Sequence, residues 1–353
     1  MYNKAMSLLK GVGDFFALDI GTNAIRVVQL SGSDKTGWGL QHFGYTSVDP
    51  NLVQSSSEES KSKLSEVILT AIGQSGIRTK NVAIGLSASK TYTTVIEVPN
   101  QPEAELKKII KYQLDQYVPM AIDDAKVDWT LLGLSPRDET KQEVLLASTA
   151  ISYTEERMEF VESLGLNVVA AEPDPIAVAR ALTPVGIPDA RLVIDFGETS
   201  TDLVITFNGA PRLVRAVPGG LAGLVKASAQ SLSVDEDQAR KFILKFGLAQ
   251  DKLEGQVFKA LDTTLDNFAS ELIKSVKFFQ TKYPNVPVGG IILSGFASII
   301  PFMSEYIEAK TSTPTSQGSP WQRVNVPATM QEQLASVASE FSVAVGLAER
   351  SNE

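Results

Sequence analysis

Two stretches of this chain, Phe16-Ala17-Leu18-Asp19-Ile20-Gly21-Thr22-Asn23 and Leu192-Val193-Ile194-Asp195-Phe196-Gly197-Glu198-Thr199-Ser200-Thr201, are near copies of one another. Each is a short apolar run ending in Asp, then one residue and Gly, then small hydroxyl or amide residues. Each returns to an apolar run, Ala24 to Leu30 and Asp202 to Phe207. The pattern predicts a hairpin built twice from buried strands, with Gly taking turn angles that other residues resist. Turn N–H groups and hydroxyls suit phosphate oxygens, and a carboxylate at a strand end suits a metal held through water. One such hairpin in each half of a chain can grip a nucleotide from both sides.

Length and composition set the limits. The chain has 353 residues, enough for two or more domains, and its 43% hydrophobic and 21% charged content supports a large core. A net charge of −9 disfavours nucleic acid as a partner. The absence of cysteine excludes disulfides, thiol catalysis and thiolate zinc sites. The single histidine, His42, sits in an alternating strand pattern, so neither a His-rich metal centre nor a Ser-His-Asp triad is expected. The longest uncharged run, Tyr283 to Ser304, is broken by prolines and glycines and reads as strand, turn and helix start, not as a membrane span. A cytoplasmic protein is expected, with a weak amphipathic tether as an alternative use of Lys4 to Val12.

Periodicity gives the organisation. The first hairpin is followed by a strand at Trp38 to Val48, a helix around Leu64 to Ile72 and a strand at Val82 to Leu86. A strand–helix–strand–strand–helix–strand insertion is expected between Ser89 and Ala171, containing a helix from Glu103 to Tyr117. A helix at Pro173 to Leu182 leads to the second hairpin, a third strand at Arg212 to Val217, and helical material from Leu221 to Gln280. Gly290 to Leu293 is a strand, Ile300 to Lys310 a helix, Thr311 to Gln322 a polar loop, and Glu332 to Arg350 a last helix. The expected fold is α/β, a duplicated domain pair around a cleft with one inserted subdomain on each half. Residues 14–89 with 172–190 form the first core, 90–171 its α/β insertion, 191–220 with 288–353 the second core, and 221–287 its helical insertion.

That plan resembles the actin-like ATPase superfamily. The block Tyr112-Gln113-Leu114-Asp115-Gln116-Tyr117-Val118-Pro119, followed by Ala125-Lys126-Val127-Asp128-Trp129, is similar to the subdomain peculiar to the PilM family of type IV pilus assembly proteins. Asp19 to Leu30 is similar to that family's first phosphate motif, and Phe341 to Arg350 to its closing helix. The resemblance covers nearly the whole chain.

It implies ATP held with Mg²⁺ in the cleft, and docking onto the cytoplasmic N-terminal tail of a PilN-like inner-membrane protein. Asp19 and Asp195 are the implied metal residues. Gly21, Thr22 and Asn23 stand at the phosphates, faced by Gly197, Glu198, Thr199, Ser200 and Thr201, with Gly219 and Gly220 closing beneath. Ser294, Gly295, Phe296 and Ala297 match the adenosine motif, and Arg240, Lys241 and Lys245 approach ribose and adenine. Val95, Leu106, Ile110 and Tyr117 are the implied wall of the tail groove. The implied location is peripheral to the inner membrane through protein partners, with other pilus assembly proteins and self-association as further expectations.

Three departures from the family pattern stand out. Phe296 replaces a second glycine of the adenosine motif and either stacks on the base or narrows the pocket. Glu198 replaces a small residue, where a carboxylate repels triphosphate unless a cation intervenes. It reads either as an exposed turn carboxylate or as the base of a slow hydrolysis, Gln113 being the weaker candidate for that role. The helical insertion offers Arg240 and Lys241 in place of the acidic–basic pair common in the superfamily. Competing readings are an FtsA-like cell-division filament protein, a small-molecule kinase of the same superfamily and a pseudo-ATPase that only binds peptide. The first calls for a basic membrane helix where Ser351-Asn352-Glu353 stand, and the second for a substrate-facing Asp base that the sequence does not reveal.

Overall fold

The computed structural model describes residues 14–350 except 185 and 188; the tether expected at Lys4 to Val12 and the residues Ser351 to Glu353 lie outside them. The first half opens with strands β1 (Phe16–Ile20), β2 (Ala24–Ser33) and β3 (Gly37–Ser47), passes helices α1 (Pro50–Gln54) and α2 (Glu58–Ser75), and enters β4 (Asn81–Leu86). Then come β5 (Thr91–Pro99), α3 (Glu103–Tyr117), β6 (Ala125–Leu134), β7 (Lys141–Ala150), α4 (Ile151–Ser163), β8 (Asn167–Pro173) and α5 (Asp174–Leu182). The second half repeats the plan with β9 (Ala190–Phe196), β10 (Ser200–Phe207) and β11 (Ala210–Pro218), then α6 (Leu221–Leu232), α7 (Glu236–Phe246) and α8 (Gln256–Lys282). It closes with β12 (Val288–Gly295), α9 (Met303–Thr311), β13 (Thr315–Gln317), β14 (Val324–Asn325), α10 (Ala328–Ala335) and α11 (Ser342–Ala348).

The duplication is visible in the strand order. One sheet runs β14-β3-β2-β1-β4-β8 and the other β11-β10-β9-β12-β13. In both, an antiparallel hairpin is followed by a parallel neighbour, β4 beside β1 and β12 beside β9. Period-two alternation then sorts the side chains. Phe16, Leu18 and Ile20 join an outer core with α2 and α4, while Ala17 points inward. Leu192, Ile194 and Phe196 join the outer core of the second half, while Val193 points inward. Between the sheets lie α5 and α11, in one core with Ala17, Val28, Val193 and Val204. They approach so closely that a Cβ on Gly346 would fall 1.9 Å from the Ala177 carbonyl oxygen.

Helix ends follow local chemistry. Ser57 caps α2 by accepting from the Ser60 N–H, Glu58 and Glu59 fill the first turn, and Gly76 ends the helix in the left-handed region. Asp235 caps α7 in the same way, and Gly247 stops it as expected.

Four expectations are corrected. The insertion is shorter at its exit: β5, β6 and β7 form their own sheet, with α3 packed on it. β8 instead joins the first half's sheet beside β4, and Val161 of α4 joins that half's outer core. The helical material after β11 shares the second sheet's core, through Leu221, Leu224, Val257, Leu261 and Leu272. The last helix is two, α10 and α11, with a 3-10 turn at Ala338–Phe341, and the polar loop holds an edge strand, β13. A buried bolt joins the inserted sheet to the second half. Glu143 of β7 accepts from the Tyr283 hydroxyl at 2.7 Å and faces Arg212 Nε of β11 at 2.9 Å, out of line for a hydrogen bond.

Candidate functional site

The two hairpins face one cavity of about 590 Å³. Both turns close the same way, Gly21 N–H donating to Ala24 O at 3.1 Å and Gly197 N–H to Ser200 O at 3.0 Å. Asp19, Gly21, Thr22 and Asn23 line the cavity from the first half, and Asp195, Gly197, Glu198, Thr199 and Ser200 from the second. Gly295 and Phe296 reach it from the end of β12. Gly295 has φ +62°, and a Cβ there would meet the Phe196 carbonyl oxygen at 2.5 Å, so the adenosine-motif turn can pack against the second hairpin only without a side chain.

Other expected residues stand behind the cavity wall. Thr201 is fully buried and donates its hydroxyl to Gly219 O at 2.8 Å. Gly219 and Gly220 brace the hairpin from below, and the start of α6 hangs from it through Leu221 N–H to Gly197 O at 3.0 Å. Ser294 is buried and donates to the Ser342 hydroxyl at 2.8 Å; Ala297 is core. Lys241 and Lys245 are exposed on α7 and contribute nothing to the lining. Phe296 is packed into the second half's core, so it neither blocks the cavity nor presents a free ring.

Glu198 is corrected from an exposed turn carboxylate: it is buried and accepts from Nη1 and Nη2 of Arg240. That pair neutralises the carboxylate, so its expected repulsion of phosphate is largely cancelled. Gln113 is half-buried on α3 and takes no part in the lining. In the proposed tail groove, Leu106 and Ile110 are fully buried in the inserted sheet's own core, with Tyr117 packed against it. Their helical spacing is that of a core stripe. Val95 is buried on the opposite face of its strand, where its carbonyl accepts from Lys282 Nζ at 2.7 Å.

The hairpins also differ in charge opposite each strand-end aspartate. Across the strands Asp19 faces Arg26, whereas Asp195 faces Asp202. Arg26 Nη1 lies 3.2 Å from Asp19, while Nη2 holds Glu340 from the 3-10 turn before α11. Burial raises Asp19 above the usual carboxylate range, with Arg26 pulling the other way. Burial also raises Asp195, and burial with Asp195 opposite pushes Asp202 up to about 8. Asp174, at the start of α5, is raised well above its ordinary value by burial and then by Asp19, Asp202 and Asp195. Six carboxylates (Asp19, Asp174, Asp195, Glu198, Asp202, Glu340) line the cavity against three cations, Arg26, Lys90 and Arg157.

Such a cavity fits a cation-bound phosphate group. Asp174 Oδ1 and Asp202 Oδ1 are buried without a hydrogen-bond partner, a costly state that a hydrated cation relieves. Among the described residues no three acidic or histidine side chains converge closely enough to ligate a metal directly. Contact through water is therefore the geometry these residues suit. Sequence reasoning missed Arg26, Asp174 and Asp202. The signal for two of them was present, because counting outward from each turn puts residues 26 and 202 opposite the two aspartates.

Two sheets of matching strand order, closing a cleft between paired Asp-x-Gly hairpins, define a protein of the actin-like ATPase fold. The chain belongs to the type IV pilus assembly protein PilM family, whose model matches residues 17–352. Among solved structures it is similar to a PilM-PilN type IV pilus biogenesis complex, at 23% identity over 97% of this chain and 99% of that one, TM-score 0.79. It is also similar to the ethanolamine utilization protein EutJ from Carboxydothermus hydrogenoformans, at 16% identity over 96% of this chain and 90% of that one, TM-score 0.52. MreB 5 of Spiroplasma citri bound to AMPPNP matches at 13% identity over 94% of each chain, TM-score 0.52. These three attest the fold. The cell division protein FtsA of Neisseria meningitidis serogroup B (strain ATCC BAA-335 / MC58) is 25% identical over 278 residues, 69% of this chain. The match spans 64% of that relative's length, less than two thirds of it.

Proposed function

We propose that the protein is an ATP- and Mg²⁺-binding scaffold of type IV pilus assembly that docks the cytoplasmic N-terminal tail of a PilN-like inner-membrane protein. The observation that carries the nucleotide reading is the pair of facing hairpins around a cavity whose unpartnered carboxylates call for a cation. Asp195, Asp202 and Asp174 would hold the Mg²⁺ through water, Asp19 being already occupied by Arg26. The bound cation would supply charge neutralisation to the phosphates. The chain's own residues then orient the nucleotide. The hairpin turns offer N–H groups and the hydroxyls of Thr22, Thr199 and Ser200, and Gly295 with Phe296 bounds the nucleoside end.

For the tail we assign a second cavity, of about 220 Å³, between the inserted sheet and α5, with Leu132, Leu145, Ile176 and Ala179 among its lining and Arg180 at its side. It lies where motion of the halves about α5 and α11 would alter its width, the hinge-type coupling that closure on a nucleotide produces. Among the described residues no helix is long and apolar enough to cross a membrane, so contact with the inner membrane would run through the partner. The neighbour solved with PilN supports the partner class, and the neighbour solved with AMPPNP supports the ligand class.

The test of the cleft is calorimetric titration of Asp195→Ala with Mg·ATP. Loss of binding is expected, and affinity equal to the parent protein's would refute the assignment.

A further inference from the structure

We infer that Lys90 and Arg157 form a terminal-phosphate subsite through which the inserted sheet distinguishes a nucleoside triphosphate from a diphosphate. The inference rests on the nucleotide reading above and names two residues that reading does not use.

Both side chains line the hairpin cavity. The other cations at this cleft are committed, Arg26 to Asp19 and Glu340, and Arg240 to Glu198. Among the described residues neither Lys90 nor Arg157 lies within ion-pair distance of a carboxylate, although six carboxylates line the same cavity. Arg157 makes one long contact, Nη2 donating to Ile20 O at 3.4 Å, and its buried Nε has no partner. A guanidinium held partly out of water without a counterion is costly, and an arriving anion removes that cost.

Their positions in the chain matter as much as their charge. Lys90 is the residue immediately before β5, and Arg157 lies two turns into α4, which follows β7 directly. The two cations thus stand at the entry and exit of the inserted sheet. The roots are already joined, since Ser87 N–H donates to the Tyr153 hydroxyl of α4 at 3.3 Å. Gly295 and Phe296 belong to the second half, whereas Lys90 and Arg157 belong to the first. Phe296, Lys90 and Arg157 line one cavity, and we place the nucleoside end at Phe296 and the last phosphate at the two roots. Cationic clamps on a terminal phosphate are strong because each hydrogen bond is charge-assisted. A diphosphate lacks the group that bridges them.

The experiment compares Mg·ATP and Mg·ADP binding by calorimetry for the parent protein, Lys90→Gln/Arg157→Gln and the charge-conserving Arg157→Lys. A melting curve confirms that each variant is folded. The double variant should bind ATP about 10- to 100-fold more weakly, roughly tenfold per cation, with ADP affinity little changed. Arg157→Lys should keep part of the preference for ATP. ATP should slow amide exchange in β5 and α4 of the parent protein but not of the double variant. Equal weakening for both nucleotides, or unchanged ATP affinity, overturns the inference and leaves the nucleotide reading standing. Failure of the parent protein to bind either nucleotide overturns both.

Discussion

Glu143→Gln removes one charge from the buried bolt between the inserted sheet and the second half while keeping its shape. Glu143 is fully buried and Arg212 is 5% exposed, so neither group can turn to water. Burial holds Arg212 below its usual range, and the Glu143 carboxylate is the leading influence drawing it back up. Glutamine still accepts from the Tyr283 hydroxyl, which isolates the loss of charge. Stripping one partner from a buried pair costs about 3–5 kcal/mol, because the other charge is left uncompensated. Lys282 also feels the Glu143 charge, which places the expectation toward the upper end of that range. The exposed pair Lys63–Glu59 serves as the control: solvent screens it, so Glu59→Gln should change little. In a chain of this many parts unfolding is not one step, and the right assay is amide exchange resolved to β5–β7. Protection there should fall by about three to four powers of ten. Glu143→Gln/Arg212→Met should recover most of the loss, since it removes the stranded guanidinium while glutamine still accepts from the Tyr283 hydroxyl. A change below about 1 kcal/mol, or a double variant no better than the single one, would refute the reasoning.

Gly346→Ala puts a Cβ 1.9 Å from the Ala177 carbonyl oxygen and so forces α5 and α11 apart. A loss of about 3 kcal/mol and a melting temperature lower by several degrees are expected, with no shift counting against the tight helix contact. A pH effect follows from Asp202, which burial and Asp195 push up to about 8 in the folded protein from an ordinary 3.8. Between those values the folded state binds a proton that the unfolded chain has released, so this group's contribution to stability declines as pH rises from about 4 to about 8. Its slope is at most about 1.4 kcal/mol per pH unit. Asp202→Asn should therefore flatten the fall in melting temperature between about pH 6 and about pH 8, and an unchanged slope would contradict it.

What was legible in the sequence is what short-range physics fixes. The apolar runs Phe16 to Leu18 and Leu192 to Ile194, each closed by Asp, with Gly21 and Gly197 at the turns, announce the two hairpins. Pairings distant in sequence were not legible. Val168 to Ala171 is an apolar run that carries no mark of the sheet it will join, and it pairs with β4 instead of the inserted strands. Glu198 and Arg240 stand 42 residues apart, and nothing local tells that the two charges meet. Leu106 and Ile110 show the converse: a correct helical stripe was assigned to a partner when its own sheet covers it. The break before α11 lets Glu340 turn back to Arg26, a contact across 314 residues.

The proposed scaffold would couple nucleotide in the hairpin cleft to a membrane protein's tail beside the inserted sheet. Titrating a synthetic PilN-type N-terminal tail peptide into the protein, with and without Mg·ATP, tests it most directly. Binding in at least one state is predicted, with an affinity that differs between the two and a difference that disappears in Asp195→Ala. No binding of the tail in either state, or an affinity indifferent to nucleotide, would contradict the account.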